Sequence, residues 1–443
     1  MKRFILEQSD SEFYTSHSGL ALVGLFINRY SELPRVIGRE MDNTRNIISH
    51  VDILRSYLGL LCLGKSDFEA ITAMRQDQFF KNSLGIRHIP SAERLRQRLD
   101  EEAGNLLPLV QRCSVKMLKK GKALITPIAT GHIPLDVDVF PMDNSGTSKE
   151  HVSRTYHNYD GYAPIAAYLG QEGWCLEVEL RPGSQHSQDG FIPFMKRVLG
   201  RARALTGRKL LVRLDSAHDA LDTRVLLSNE EKLSYIVKWN PRREDTGALC
   251  QKAFAEGKVT EPRKGKRVAL LTIRKRQVQE EKAYVFTRVV RVTERTVDRH
   301  GQQLLVPDVT VEGWWTNLDL PEEKIIALYQ DHGLSEQFHS EFKSDLDLER
   351  LPSGKFATNA LVMALGVFAY NILRFIGQLG LLGNRSPVRH PARRRRIKTV
   401  IQELIYLAAR LIRSGNRLRL RFSYFCPAYA AFAGVYSRLL PCN

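Results

Sequence analysis

Residues 133–140 read IPLDVDVF, and this stretch determines how the rest of the chain is interpreted. Apolar residues alternate there with Asp136 and Asp138, and a period of two places alternate side chains on opposite faces of a strand. The stretch therefore predicts a β-strand that carries two acids on one face. Taken singly, an acid such as Asp138 is more commonly a carboxylate at a strand end or in a turn than a functional group.

Further strands and helices follow this strand in a recognisable order. Short β runs are predicted at 161–170, 174–180, 209–215 and 234–239, and a basic amphipathic helix at 191–205. The connection at 171–173 is typical of a tight hairpin. The order β-β-β-α-β-α-β predicts an α/β fold, with one mixed sheet flanked by helices.

Three acids from distant parts of the chain meet at one edge of this predicted sheet. Asp138 lies on the first strand, and Asp215 ends the apolar strand LLVRLD. Glu336 lies in the segment LYQDHGLSEQFHSEFKSDLDLERLP at 328–352. Carboxylates gathered in this way repel one another unless divalent cations neutralise them, and oxygen ligands suit Mg²⁺ or Mn²⁺. Two such metals can activate an attacking oxygen and stabilise a leaving oxygen at a phosphodiester.

Helical spacing gives the 328–352 segment a second feature. On a continuous helix, four polar residues would share one face suited to a phosphate and its metal: Tyr329, His332, Glu336 and Lys343. Apolar residues at four-residue spacing would hold the same helix against a core. The alternative interpretation is a charged helix that faces solvent.

Composition favours a polyanionic partner. Lys and Arg outnumber Asp and Glu by 66 to 48, a net charge of +18, although a solvated basic surface has the same composition. The six cysteines show no paired spacing, which argues against a zinc site or a disulfide framework. The first residues do not resemble a signal peptide, so we expect a reducing, cytoplasmic location.

The flanking regions carry weaker patterns. Residues 1–115 are predicted to be all-helical, and 66–104 fits equally a helix-turn-helix or a packing and dimerisation element. The apolar run 356–376 is long enough to span a bilayer, but its Asn and Arg residues indicate a buried helix.

Two further regions alternate apolar with basic residues. The runs 267–278 and 282–297 predict a sheet with one cationic face. Beyond them, Trp314 and Trp315 belong either to a returning core strand or to a base-stacking surface. Arginines at 393–396, 417, 419 and 421 predict a phosphate-tracking surface, with plain solvation as the alternative.

Together these segments resemble the DDE transposases of bacterial insertion sequences, over about residues 131–376. The resemblance lies in LDVDVFPMDNS, YDGYAPIAAYLG, ELRPGSQHS, LLVRLDSAHDA and the Glu336 segment ending in LERLPSGKFATN. One branch of that family carries the signature Tyr-(2)-Arg-(3)-Glu-(6)-Lys. Tyr329, Glu336 and Lys343 fit this spacing, whereas His332 stands at the Arg position and can lose its charge near neutral pH.

The resemblance implies an RNase H-like catalytic core at 131–240 and 316–383, interrupted by a β-rich insertion at 241–315. A helical N-terminal domain (1–115) and a basic C-terminal segment (384–443) flank it. The implied catalytic and metal-binding residues are Asp138, Asp215 and Glu336, and the implied DNA-phosphate contacts are Tyr329, His332 and Lys343. Asp138 is preferred to Asp136 and Asp143 because it matches the family position, and Asp215 is preferred to Asp219 because it closes the strand.

The activity implied by the resemblance is metal-dependent DNA end cleavage followed by strand transfer. The expected cofactor is Mg²⁺, or Mn²⁺, at a two-metal site. The expected partners are double-stranded DNA, namely the terminal inverted repeats and a target, and a second copy of the chain, with no membrane. The alternatives are a nuclease that does not join strands and a non-catalytic DNA-binding remnant.

Overall fold

The computed structural model describes residues 3–41, 47–242, 244–298, 300–415 and 417–440. The α-helices are α1 Leu20–Tyr30, α2 Leu33–Glu40, α3 His50–Cys62, α4 Gln78–Leu84, α5 Ala92–Lys120, α6 Phe191–Leu205, α7 Leu221–Asn229, α8 Thr246–Glu256, α9 Glu322–Gln330, α10 Leu334–Ser340, α11 Phe356–Gly380, α12 Ile397–Val400 and α13 Tyr429–Leu439. The strands are β1 Phe13–Thr15, β2 Ile133–Val139, β3 Met142–Asp143, β4 Ser153–Arg154, β5 Asp160–Tyr162, β6 Ile165–Leu169, β7 Trp174–Glu179, β8 Leu210–Leu214, β9 Leu233–Lys238, β10 Lys258–Arg263, β11 Lys266–Gln279, β12 Lys282–Val297, β13 Gln303–Thr316, β14 Ala409–Ser414 and β15 Arg417–Phe422.

A nine-stranded mixed sheet forms the centre of the molecule, in the order β10-β11-β12-β13-β9-β8-β2-β6-β7. Strand β2 pairs in parallel with β8, and β8 pairs in parallel with β9. Parallel neighbours need long crossover connections, and the helices α6 and α7 supply them. The predicted mixed α/β sheet flanked by helices is confirmed, as are the first strand and the tight hairpin between β6 and β7.

The β-rich insertion continues this same sheet, because β13 pairs with β9. Trp314 and Trp315 form that pairing and are buried. The returning-strand interpretation of the two tryptophans is therefore confirmed, and their rings are not available to stack on bases. Strands β11 and β12 pair along 14 residues of β11 in an antiparallel ribbon.

Helix α11 lies at the core, between the N-terminal helices and the central sheet. It packs on β7 of the sheet and on helices α3 and α5. It is long and apolar enough to cross a membrane, with mean hydropathy 1.8, yet 94% of that apolar window is buried within the protein. Asn371 donates to the carbonyl of Cys175 and accepts from its amide, so the polar residue is satisfied within the core. The predicted buried helix is confirmed.

The N-terminal region agrees with prediction in part. Ser91 caps α5 by accepting a hydrogen bond from the Arg94 amide, as its sequence indicated. Helix α5 then packs along α11, which supports a packing role for the 66–104 passage. The all-helical expectation is wrong at Phe13–Thr15, which forms β1 and pairs with β14 near the other end of the chain. A strand partner so distant leaves no local signature in the sequence.

The continuous helix expected between residues 328 and 352 is also wrong. Helix α9 ends at Gln330, a 3₁₀ turn covers Asp331–Gly333, α10 follows, and Glu341–Asp345 forms a π-helical turn. Gly333 has low helix propensity and lies at this break. Seven-residue spacing therefore does not place Tyr329, Glu336 and Lys343 on one helix face.

Candidate active site

The ends of two parallel strands bring Asp138 and Asp215 together. In the register of β2 and β8, Val137 lies opposite Leu214; Asp138 is the next residue of β2, and Asp215 directly follows β8. Parallel strands end at the same sheet edge, so the two carboxylates become neighbours. The backbone anchors both acids, because Asp138 accepts from the Val139 amide at 2.8 Å and Asp215 from the Ala217 amide at 3.2 Å.

The two carboxylates lie close enough for their like charges to disfavour ionisation. Burial and the charge of Asp215 raise the pKa of Asp138 to about 7, and Glu336 acts in the same direction. Burial likewise raises the pKa of Asp215, against the opposing effects of His332 and backbone amides. Neighbouring carboxylates that resist ionisation fit a divalent cation, which would neutralise both.

Glu336 lies near this pair on the first turn of α10, with an exposed side chain. The charge of Glu336 contributes to the raised pKa of Asp138. Among the described residues, however, no three His, Cys, Asp or Glu side chains are grouped closely enough to hold a metal. The structure thus brings two of the three predicted ligands side by side and places the third at the rim.

Asp136 has a different environment from Asp138, although only one residue separates them. It is 3% exposed, and its two oxygens accept hydrogen bonds from Arg213 at 2.6 and 2.8 Å. His332 Nδ1 lies 3.1 Å from the same carboxylate. Burial would raise the pKa of Asp136, but Arg213 and His332 outweigh it and lower that pKa to about 2. Asp136 is therefore ionised and neutralised within the protein, which favours Asp138 as the metal-facing acid.

His332 lies beneath the site and is not open to solvent. Its side chain is buried against Asp136. Burial alone would lower the pKa of His332, but the hydrogen bond and charge of Asp136 outweigh it and raise that pKa. A direct phosphate contact by His332 stays a prediction, and the geometry instead shows a bond that holds the α9–α10 break to strand β2.

The two other residues predicted to bind phosphate also have partners within the protein. Tyr329 packs against the rings of Trp314 and His332. Burial and the charges of Asp215 and Asp138 raise the pKa of Tyr329, so this phenol lies close to the acid pair. Lys343 Nζ lies 2.9 Å from both the Pro141 carbonyl and the Glu349 carboxylate.

Arg213 is a residue of this site that sequence reasoning missed. It lies opposite Asp136 in the strand register, and its Nη1 also donates to the Leu328 carbonyl at 2.9 Å. One side chain thereby ties β2, β8 and α9 together. The signal in the sequence was an arginine inside the otherwise apolar strand LLVRL, since a charged residue in a buried strand requires a partner.

The arginine run at 393–396 packs against the segment that follows Glu336. Arg394 pairs with Glu341 at 2.7 Å, and Arg396 pairs with Asp345 at 2.9 Å. These two arginines hold the π-helical turn to the C-terminal segment, so a phosphate-tracking role does not describe them. The arginines on β15 alternate as predicted and are exposed: Arg417, Arg419 and Arg421.

Comparisons with known proteins identify the family of this chain. The family described as "Transposase DDE domain group 1" matches residues 3–443. No curated protein matches. The chain is also similar to piggyBac transposase in the cryo-EM structure of its synaptic complex with hairpin DNA, at 10% identity and a TM-score of 0.42, over 89% of this chain and 82% of that one. Because the family match spans nearly the entire sequence, the chain belongs to the transposase DDE domain family, group 1.

Proposed function

We propose that this protein is the transposase of a bacterial insertion sequence, which cleaves the DNA ends of its own element and joins the freed 3′-hydroxyl to a target. The observation that carries the proposal is the pair of neighbouring carboxylates, Asp138 and Asp215, at the ends of two parallel strands. Neither pairs with Lys or Arg among the described residues, whereas Asp136 beside them does. A buried structural carboxylate is usually neutralised by a partner, as Asp136 is, and carboxylates whose pKa values are raised by burial and by like charge favour a functional site.

An RNase H-like core is part of this proposal. The antiparallel strands β7 and β6, followed by β2 and the parallel strands β8 and β9, support it. In this arrangement β2 is central, so Asp138 lies at the middle of the sheet edge. Helix α10 supplies Glu336 from outside the sheet, which accounts for the long separation of this acid in sequence.

Asp138 and Asp215 would hold Mg²⁺ or Mn²⁺, with Glu336 completing the ligand set. When bound, the metals activate the attacking oxygen and stabilise the leaving oxygen of a phosphodiester. The protein's own residues contribute by holding these ligands in position. The Asp136–Arg213 pair joins the two strand ends, and the contact of Asp136 with His332 joins the turn before α10 to β2.

DNA is the partner that the charge distribution favours. The net charge is +18, and the β15 arginines are exposed on an edge strand. Phosphate contacts by such residues position DNA without reading its sequence. We propose terminal inverted repeats and a target duplex as the substrates, bound by a homodimer.

A gel assay with a radiolabelled element end, Mg²⁺ and a plasmid target tests the proposal. Joined product supports it, nicks alone indicate a nuclease, and a shifted but uncut band indicates a DNA-binding remnant. Asp138→Asn, Asp215→Asn and Glu336→Gln should each abolish cleavage and leave the band shift intact. Asp143→Asn is the matched control, because Asp143 lies just past the same strand and accepts from the Ser145 amide. Cleavage that survives in the first three variants would contradict the assignment.

A further inference from the structure

The turn between β4 and β5 carries aromatic side chains beside the acid pair. Tyr156 is 62% exposed, and its hydroxyl lies 3.4 Å from the carbonyl of Val139, the residue after Asp138. Burial of the hydroxyl and the charges of Asp138 and Asp215 raise the pKa of Tyr156. The hydroxyl end therefore lies next to the strand end that carries Asp138, while much of the residue is exposed to solvent.

This turn has a fixed shape. The amide and hydroxyl of Thr155 both donate to the Tyr159 carbonyl, at 2.9 and 2.8 Å, and the Asn158 amide donates to Thr155. Asn158 adopts the left-handed conformation, with φ of 65°, which Asn tolerates better than most residues. The His157 ring lies 4.4 Å from the Tyr156 ring. The Tyr156 ring is thus presented to solvent from an ordered turn.

The small sheet beneath the turn, β3-β5-β4, is joined to the segment that follows the Glu336 helix. The Asp143 amide donates to the Glu349 carboxylate at 2.8 Å, and the Asn144 side chain donates to the Glu349 carbonyl at 3.0 Å. Lys149 reaches the Leu351 carbonyl. These bonds connect the small sheet that carries the Tyr156 turn to the chain just beyond the Glu336 helix.

Beyond its tilted contact with the His157 ring, the exposed part of Tyr156 offers an aromatic surface that nucleic-acid chemistry can use. Every base offers a π-face, so aromatic stacking holds a nucleotide regardless of its sequence. We propose that Tyr156 is a positioning residue, whose ring stacks on the base next to the phosphate that the acid pair acts on. This inference rests on the proposed function, since it assigns Tyr156 a role at the same site.

The test uses the full-length chain and a duplex of one element end, with 2-aminopurine at the nucleotide next to the cleaved phosphate. Fluorescence is read in the Asp138→Asn background, so that the reading does not depend on cleavage. Tyr156→Phe keeps the ring and should quench like the parent. Tyr156→Leu removes the ring and should abolish the quenching. In the active background, Tyr156→Leu should lower kcat/KM by about 5- to 150-fold, since stacking contributes roughly 1–3 kcal/mol per base.

Tyr424→Leu is the control, because Tyr424 is exposed after β15 and should leave quenching at this base unchanged. The free energy of unfolding of Tyr156→Leu in urea should match that of the parent, so that a loss of quenching reports lost stacking and not a folding defect. Quenching and cleavage that persist in Tyr156→Leu would overturn the inference, as would an equal loss in Tyr156→Phe. If the parent quenches but does not cleave, the proposed function fails while the stacking role stands.

Discussion

Glu336 and Glu341 are five residues apart, but changing each to Gln should have a different effect. Glu341→Gln should lower the stability of the protein, whereas Glu336→Gln should abolish cleavage and leave stability nearly unchanged. Glu341 is 1% exposed and pairs with Arg374 and Arg394, both of which are largely buried. Tyr370 also donates to it at 3.0 Å. Glu341→Gln keeps the shape but leaves two guanidinium charges without their carboxylate. Breaking a buried pair costs about 3–5 kcal/mol, because the remaining charge stays away from water.

The measurement is the free energy of unfolding in urea. Glu341→Gln should lose about 3–5 kcal/mol. Glu336→Gln, which changes an exposed side chain, should stay within about 0.5 kcal/mol of the parent while losing cleavage. Adding Arg374→Met to Glu341→Gln should recover part of the loss, since it removes one stranded charge. A loss below about 1 kcal/mol in Glu341→Gln would refute the reasoning, because the π-helical turn would then not depend on its ion pairs.

Three further outcomes are expected. In metal-free buffer at pH 8, Asp138→Asn should stabilise the protein by about 1 kcal/mol or more by relieving repulsion, and thermal unfolding should show Mg²⁺ stabilising the parent but not this variant. Asp136→Asn should instead lower the free energy of unfolding, measured by urea titration. Because the folded pKa of Asp136 is about 2, below its unfolded value, the difference between variant and parent should have its full size above pH 4 and should disappear as the pH falls through 2. Replacing the three β15 arginines with Gln should reduce the slope of log affinity against log salt by about 0.9 for each DNA phosphate that these arginines neutralise in the parent, and an unchanged slope would remove β15 from the DNA surface.

Local pattern was sufficient for several parts of the fold and of the site. The alternation in IPLDVDV, the apolar run that ends at Asp215 and the buried helix α11 each follow from a period of two or from continuous apolarity. Ser91 marked the start of α5 because capping depends only on residues within one turn. These features were predictable since the interactions that cause them lie within a few residues of one another.

Tertiary structure decided what local pattern left open. Asp136 and Asp138 have the same sequence context, and they differ because the β2–β8 register places Arg213 opposite the first and a second carboxylate beside the other. The helix expected through residues 328–352 breaks where His332 contacts Asp136 and Glu341 contacts Arg374 and Arg394. A charge in a protein interior is stable only with a partner, and that partner comes from wherever the fold brings the chain back, which no window of sequence contains.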